Sequence, residues 1–291
     1  MATVGIVGLG LLGGAVASRL RAGGHDVVGY DIAADKVTAL VALGGRAAPS
    51  AQAVAESAAA VCVVLPSLTS VEDVVLGPRG LAASGAAGAT IIQMSTISPA
   101  LTERLAREVT AKGLAFLDCP ISGTSAMVER GEGIVFVGGD PSVFGRWRPV
   151  LETILPRAVF VGRAGQAMVL KLVANLLVAL HSAAAAEALL MARKAGLDLE
   201  LVLDVLGRSA ASSRMLEVRG PLVARGEFPP QMKLDLFMKD LHLIQDAARS
   251  VGAPLPLTDV AERLYAAALQ AGHGGADLSV VVKALEAMRR S

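Results

Sequence analysis

Aromatic residues are scarce in this 291-residue chain, which has one Trp, two Tyr and six Phe. Hydrophobic residues nevertheless make up 53% of the chain, so its core must be built mainly from Ala, Val and Leu. Only 18% of the residues are charged, and this composition favours a folded chain with a sizeable core over a disordered one. The length suits two ordinary domains or one large domain.

The chain also lacks an excess of charge of either sign. Lys and Arg number 27 against 26 Asp and Glu, which leaves a formal net charge of +1. A domain that binds a nucleic-acid backbone usually carries a basic excess. Neither a run of Lys and Arg nor a set of aromatic stacking platforms is found in the sequence, so we expect no nucleic-acid partner.

Cysteine is almost absent, since Cys62 and Cys119 are the only two. They cannot form a disulfide framework in a chain of this size. No cluster of Cys and His has the spacing of zinc ligands, so we expect no metal. This cysteine usage suits a reducing compartment, and we predict a cytoplasmic protein.

Long hydrophobic runs are missing too. The most apolar stretch, 172–186, has 15 residues without a formal charge, whereas a membrane span needs roughly 20. The first residues lack the basic start of a signal peptide. We therefore expect a buried helix at 172–186, no signal peptide and no membrane partner.

Short β-branched runs alternate with amphipathic stretches through the first half of the chain. This alternation predicts an α/β Rossmann-type doubly wound sheet, mostly parallel, with helices on both faces. The predicted strands are Thr3–Val7, Asp26–Tyr30, Val61–Leu65, Thr90–Met94, Ala115–Asp118, Ile134–Val137 and Ala158–Val161, and the helices between them include Leu11–Ala22, Pro99–Lys112 and Pro141–Ile154.

The pattern changes after Gly162, where no further strand of similar quality follows. Residues 165–195 contain neither Pro nor Gly after the first position, which predicts one helix of roughly 45 Å ending at Gly196. Later segments repeat apolar residues at three- and four-residue steps, which is typical of helices. We predict a dinucleotide-binding domain over 1–163 and an all-α domain over 164–291.

A glycine-rich motif follows the first predicted strand and opens the first predicted helix. In this context, glycines at the first, third and sixth positions allow a tight turn, close approach to a pyrophosphate and close helix–strand packing. The helix N-terminus then presents N–H groups to the phosphates. The motif consists of Gly8, Leu9, Gly10, Leu11, Leu12 and Gly13.

Asp31 lies at the carboxyl end of the second predicted strand, 23 residues after Gly8, where a carboxylate can accept hydrogen bonds from the adenosine ribose. A carboxylate repels the 2′-phosphate of NADP, and no arginine follows it directly. The nearest cation is Lys36, so we predict NAD rather than NADP. Residues 65–67 and 94–96 end the next two strands, so we expect them to border the cofactor. The alternative is that both segments are ordinary polar loops without a ligand.

Few groups in the sequence could move the proton that accompanies hydride transfer. A Tyr-x-x-x-Lys pair is absent, but Lys171 lies among apolar residues of the long predicted helix. Partial withdrawal from water should lower its pKa towards neutrality. Asn175 lies four residues on, hence on the same helix face. Spacing alone favours the structural alternative, a snorkelling lysine beside a packing asparagine.

The segment Asp118–Thr124 follows another predicted strand. Its backbone N–H groups and the hydroxyls of Ser122 and Thr124 could hold a carboxylate. A polar turn without a ligand is an equal alternative on the sequence alone.

Taken in order, these segments resemble the β-hydroxyacid dehydrogenase family, which includes 3-hydroxyisobutyrate dehydrogenase and tartronate semialdehyde reductase. The resemblance covers nearly the whole chain, and it implies that the long helix joins the two domains. It is carried by 8–13, 94–99, 118–124, the pair Lys171 and Asn175, and Lys239-Asp240-Leu241.

The resemblance implies a role for each matching residue. Lys171 would be the general acid/base, and Asn175 would orient the substrate. The other implied roles are binding of the substrate carboxylate by Ser122, Gly123 and Thr124, contacts at the nicotinamide by Thr96 and Lys239, and support by Asp240. Leu65 and Pro66 are predicted cofactor contacts because of their position at a strand end. The family also implies a homodimer or homotetramer.

The predicted function is therefore NAD-dependent interconversion of a small β-hydroxy acid and its semialdehyde, as in 3-hydroxyisobutyrate dehydrogenase. Thr124 stands where the family often has a glycine, so the substrate stays open. The alternatives are a tartronate or succinic semialdehyde (glyoxylate) reductase of the same family and a non-catalytic dinucleotide-binding scaffold.

Overall fold

The structure is a computed structural model that describes residues 2–84 and 88–288. The chain divides into two compact units, the first ending at Lys171 and the second beginning at Leu172. The predicted domain boundary at 163/164 stays a prediction. The outermost residues of the two predicted domains, Met1 and Ser291, lie outside the described part.

All the described strands lie in the first unit and form one nine-stranded sheet. The strands are β1 (Thr3–Val7), β2 (Asp26–Tyr30), β3 (Arg46–Ala47), β4 (Ala60–Val63), β5 (Thr90–Gln93), β6 (Ala115–Asp118), β7 (Ile121–Ser122), β8 (Ile134–Gly139) and β9 (Ala158–Gly162). The helices before β9 are α1 (Leu11–Ala22), α2 (Ala34–Ala42), α3 (Ala51–Ser57), α4 (Leu68–Leu76), α5 (Leu81–Ser84), α6 (Pro99–Ala111), α7 (Ser125–Glu129) and α8 (Pro141–Ile154).

The strand order β3-β2-β1-β4-β5-β6-β8-β7, with β9 beside β8, confirms the predicted doubly wound sheet. Strands β1 to β6 pair in parallel, whereas β8 runs antiparallel to β6 and β7. The order reverses between β1 and β4, and in such sheets ligands bind beyond the carboxyl ends of the strands at this point. Two strands of two residues each, β3 and β7, were not predicted, because so short a run has no periodicity.

Alternate residues of the central strands pack into two separate cores, one on each face of the sheet. Ile6 and Cys62 belong to the core beneath α1 and α8, while Val7 and Val63 belong to the core beneath α3, α4 and α6. Both faces are therefore apolar, as parallel strands buried by helices on both sides require.

The regular elements described in the second unit are all helices, apart from an isolated β-bridge between Lys233 and Asp277. The elements of this unit are the greater part of α9 (Gln166–Lys194), then α10 (Leu199–Gly207), α11 (Arg214–Arg225), α12 (Leu234–Ser250), α13 (Pro256–Ala268) and α14 (Val281–Ala287). Phe237 and Tyr265 meet edge to face with centroids 5.9 Å apart, and the Tyr265 hydroxyl donates to the carbonyl of Ala179 at 2.8 Å. Aromatic packing and one hydrogen bond thus tie α9, α12 and α13 together.

Helix α9 confirms the long helix predicted from the absence of Pro and Gly. It has 29 residues, and by length and composition alone it could cross a membrane. Core helices of soluble proteins pass the same test, and 44% of its most apolar window is buried within the structure.

A buried ion pair lies inside the second unit. Arg219 Nε is 3.1 Å from Asp277 Oδ1, and the side chains are 4% and 0% exposed. Asp277 also accepts hydrogen bonds from the backbone N–H groups of Met232 and Ser279. This carboxylate therefore connects α11 to the segments that precede α12 and α14.

Replacing Arg219 by Met should strongly destabilise the protein, because it leaves the Asp277 carboxylate buried without its cation. We expect the free energy of unfolding to fall by about 3–5 kcal/mol in urea denaturation. Arg208→Met is the matched control, since Arg208 and Asp204 form an exposed pair and such pairs contribute at most about 1 kcal/mol. If the free energy of unfolding fell by the same small amount in both variants, the stabilising role of the buried pair would be contradicted.

Candidate functional site

The glycine-rich turn lies between β1 and α1, as predicted. Gly8 has a φ of +94°, and a Cβ there would lie 2.1 Å from the carbonyl oxygen of Val64. A Cβ on Gly13 would lie 1.9 Å from the carbonyl oxygen of Gly8. Both glycines are therefore required by the close approach of backbone to backbone.

Gly10 differs from the other two glycines of the motif. It is the N-cap residue of α1, and a Cβ on it would meet no described atom within 4 Å. Packing within the chain therefore does not require a glycine here, whereas close approach of a pyrophosphate to the backbone does. The turn fits a dinucleotide because it leaves open the space that a side chain would fill.

Asp31 lies at the carboxyl end of β2 and is tied to the same turn. Its Oδ2 accepts a hydrogen bond from the backbone N–H of Leu9 at 2.6 Å, and its Oδ1 accepts one from Ala33 at 2.9 Å. These bonds hold the carboxylate beside the glycine-rich turn, in a partly exposed position where a ribose could reach it.

The ends of β4 and β5 are connected by a small polar network. The Gln93 amide bonds the backbone of Ser95 twice, with both distances 2.7 Å. Ser95 Oγ in turn accepts from the backbone N–H of Leu65 at 2.8 Å. Strand β4 ends at Val63, so Leu65 follows the strand rather than ending it as predicted. This network positions Leu65 and the partly exposed Thr96. It was not predicted from the sequence.

Ser122, Gly123 and Thr124 are partly exposed after the end of β6. Ser122 lies in β7, opposite Ile134 of β8. Thr124 is the N-cap residue of α7, where its Oγ1 accepts from the backbone N–H of Met127 at 3.3 Å. Because the oxygen is the acceptor in that bond, the hydroxyl hydrogen of Thr124 can still be donated to a carboxylate.

Lys171 lies on α9 and is buried, with 7% of its surface exposed. Asn175 follows one turn later and is 3% exposed, so the two residues share a helix face. Asn175 Nδ2 donates to Asp240 Oδ2 at 2.8 Å. This bond fixes the amide so that Asn175 Oδ1 remains an acceptor for an ammonium or a hydroxyl group.

Asp240 lies on α12 and uses both of its carboxylate oxygens. Its Oδ1 lies 3.0 Å from the Lys239 ammonium, while Oδ2 accepts from Asn175. It is 5% exposed. The resemblance implied a supporting residue at this position, but the hydrogen bond to Asn175 could not be predicted, because the two residues are 65 positions apart.

Burial determines the chemistry of the remaining titratable groups near β6. It raises the pKa of the Cys62 thiol to about 12 and the pKa of Cys119 well above its usual value. Both cysteines are therefore unreactive core residues. Within residues 2–84 and 88–288, no group of three or more His, Cys, Asp or Glu could hold a metal ion.

Two family models match this chain. The model described as the NAD binding domain of 6-phosphogluconate dehydrogenase matches residues 3–162. The model described as NAD-binding of NADP-dependent 3-hydroxyisobutyrate dehydrogenase matches residues 165–285. Together they cover most of the chain.

Curated relatives and solved structures agree with these matches. The 2-hydroxy-3-oxopropionate reductase of Escherichia coli is 35% identical over 287 residues, 98% of this chain and 97% of that protein. The 2-(hydroxymethyl)glutarate dehydrogenase of Eubacterium barkeri is 33% identical over 286 residues, 98% and 95% of the two chains. A crystal structure of 3-hydroxyisobutyrate dehydrogenase from Salmonella typhimurium has a TM-score of 0.88 and 35% identity, covering 97% of this chain and 99% of that one.

Gly10→Ala should weaken cofactor binding without unfolding the turn, because the added Cβ meets no described atom but occupies the space proposed for the pyrophosphate. We expect the Kd for NADH, measured by fluorescence titration, to rise at least about tenfold, equivalent to roughly 1.4 kcal/mol. Gly14→Ala is the control, since its Cβ would make only an ordinary contact with Leu9. An unchanged Kd in Gly10→Ala would contradict this interpretation of the turn.

Proposed function

Because the chain belongs to the β-hydroxyacid dehydrogenase family, we propose that it is an NAD-dependent enzyme that interconverts a small β-hydroxy acid and its semialdehyde. The observation that carries the proposal is the buried Lys171, on the helix face that also bears Asn175. The proposed partner is a small substrate with a carboxylate. A tartronate or succinic semialdehyde (glyoxylate) reductase is the second candidate, favoured by the 35% identity to a 2-hydroxy-3-oxopropionate reductase.

Lys171 is the proposed general acid/base. In its neutral form it accepts the hydroxyl proton as the alcohol is oxidised, and in its charged form it returns a proton to the carbonyl oxygen in reduction. A bound nicotinamide would supply the hydride acceptor in oxidation and the hydride donor in reduction. Asn175 Oδ1 orients the hydroxyl or the ammonium, because Asp240 holds its amide in one orientation.

The substrate carboxylate is proposed to bind at Ser122, Gly123 and Thr124. Two hydroxyl groups and the local backbone N–H groups are suitable donors for an anion. Holding the carboxylate determines which carbon is presented for reaction, and such positioning can contribute several kcal/mol to the rate.

The residues proposed to hold the cofactor are those of the glycine-rich turn with Asp31, Leu65, Pro66, Thr96 and Lys239. The family is NAD(P)-dependent. NAD is proposed over NADP because the Asp31 carboxylate, held by two backbone N–H groups, would repel a 2′-phosphate.

A cytoplasmic homodimer or homotetramer is also proposed. Exposed apolar side chains on α9 within the second unit, Val173, Leu177 and Met191, support self-association.

Lys171→Ala should lower turnover by at least roughly a hundredfold, because it removes the acid/base group. Lys171→Arg should not restore activity, since a guanidinium does not release its proton near neutral pH. Turnover is measured in oxidation with NAD or NADP on 3-hydroxyisobutyrate and threonate, and in reduction with NADH or NADPH on tartronate semialdehyde and succinic semialdehyde. Lys194→Ala, an exposed lysine at the end of the same helix, is the control. Near-normal turnover of Lys171→Ala would refute the mechanism. If the unaltered chain binds NADH but turns over none of these substrates, the non-catalytic dinucleotide-binding scaffold is favoured instead.

Asp31→Asn should shift cofactor preference towards NADP, because it removes the charge that repels the 2′-phosphate. We expect the ratio of kcat/KM for NAD to that for NADP to fall at least about tenfold, or roughly 1.4 kcal/mol. Asp35→Asn removes a nearby exposed carboxylate and should leave the ratio unchanged. A protein that already prefers NADP would overturn the proposed cofactor choice.

A further inference from the structure

The first turn of α9 is held by a carboxylate from a distant strand. Asp118, the last residue of β6, accepts hydrogen bonds at its Oδ2 from the backbone N–H groups of Gly165 and Met168, each at 3.0 Å. All three residues are buried. The first N–H groups of a helix have no acceptor within the helix, so an outside acceptor stabilises its first turn.

Strand β8 lies against the same segment. Gly138 pairs with Asp118 across the two strands. A Cβ on Gly138 would lie 2.7 Å from the carbonyl oxygen of Arg163 and 3.4 Å from the backbone nitrogen of Ala167. The chain that enters α9 therefore packs directly on the strand pair, and only a glycine at this position leaves room for it.

Asp118 is close in sequence to one proposed functional group and holds the helix that carries another. Ser122 follows Asp118 by four residues. Lys171 follows Met168 by three residues, which is about 4.5 Å along a helix axis. One strand end is thus linked to the proposed carboxylate-binding segment by a short length of chain, and to the proposed acid/base by two hydrogen bonds and less than one helical turn.

We propose that Asp118 is a positioning residue that, by holding the first turn of α9, sets the place of the Lys171 amine relative to Ser122. This inference rests on the proposed function, because it takes these two residues as the acid/base and a carboxylate-binding group. A displacement of about 1 Å at a reacting group can lower a rate on the order of a hundredfold.

The two oxygens of Asp118 allow a conservative variant. Oδ2 accepts both hydrogen bonds, whereas Oδ1 is buried and has no hydrogen-bond partner among the described residues. An asparagine can keep an acceptor oxygen towards Gly165 and Met168, while alanine removes it. Asp118→Asn should therefore preserve the helix start that Asp118→Ala loses.

The kinetic test compares these variants. Asp118→Ala should lower kcat about ten- to a hundredfold, while the Kd for NADH changes less than about twofold because the proposed cofactor-binding residues are untouched. Asp118→Asn should keep kcat within about fivefold of the unaltered enzyme. Thr90→Val is the matched control: it removes another buried hydrogen bond of the same unit, from Trp147 Nε1 to Thr90 Oγ1 at 2.8 Å, and should leave kcat within about twofold.

Gly138→Ala tests the same positioning without altering Asp118, which matters if Asp118→Ala does not fold. Its Cβ should displace the chain at Arg163 and lower kcat at least about fivefold, again with NADH binding unchanged. If Asp118→Ala or Gly138→Ala folds and keeps more than half of the original kcat, the proposal is overturned.

Hydrogen exchange separates this inference from the proposed function. Amides of residues 165–171 should exchange faster in Asp118→Ala than in Thr90→Val, because the first turn opens locally. Equal exchange in the two variants would overturn the anchoring itself. Absence of turnover by the unaltered chain with every hydroxy acid would contradict the proposed function, and the exchange measurement would still decide whether Asp118 holds the helix.

Discussion

Two hydrogen bonds between a strand and a helix determine where the longest helix of this chain begins. The N–H groups of Gly165 and Met168 are buried, and each would lose roughly 1–3 kcal/mol if left without an acceptor. Asp118 satisfies both from the end of β6. The residues from the first turn of α9 to Lys171 form a regular helix. The position of Lys171 along and around the helix axis therefore depends on where that first turn is held.

The parts of the structure that depend on neighbouring residues could be predicted from the sequence. The glycine-rich turn and α1 were predicted because the spacing of Gly8, Gly10 and Gly13 serves a strand-to-helix turn. The central strands were predicted because runs buried on both faces are continuously apolar. Helix α9 was predicted because Pro and Gly are missing over most of its length. In each case the determining interaction lies within a few residues of chain.

Contacts between distant residues could not be predicted in the same way. Asp118 and Gly165 are 47 positions apart, and Asn175 and Asp240 are 65 positions apart. No local pattern encodes such a pair, so the sequence showed Asp118 only as the first residue of a possible carboxylate loop. The resemblance pointed to Lys171, Asn175 and Asp240 as candidates, but only the structure shows that Asp240 orients the Asn175 amide. The sequence therefore points to candidate residues, whereas the contacts that hold them are seen only in the structure.

The carboxylate at position 118 makes the stability of the folded chain depend on pH. Burial raises its pKa to about 7 from a usual value of 3.8. The folded protein then binds this proton more strongly than the unfolded chain, so the free energy of unfolding falls as the pH rises from about 4 to about 7. A neutral acceptor would hold the same two N–H groups without that loss. Residues that lower stability in this way are expected where function requires them, which fits a residue that positions the acid/base helix.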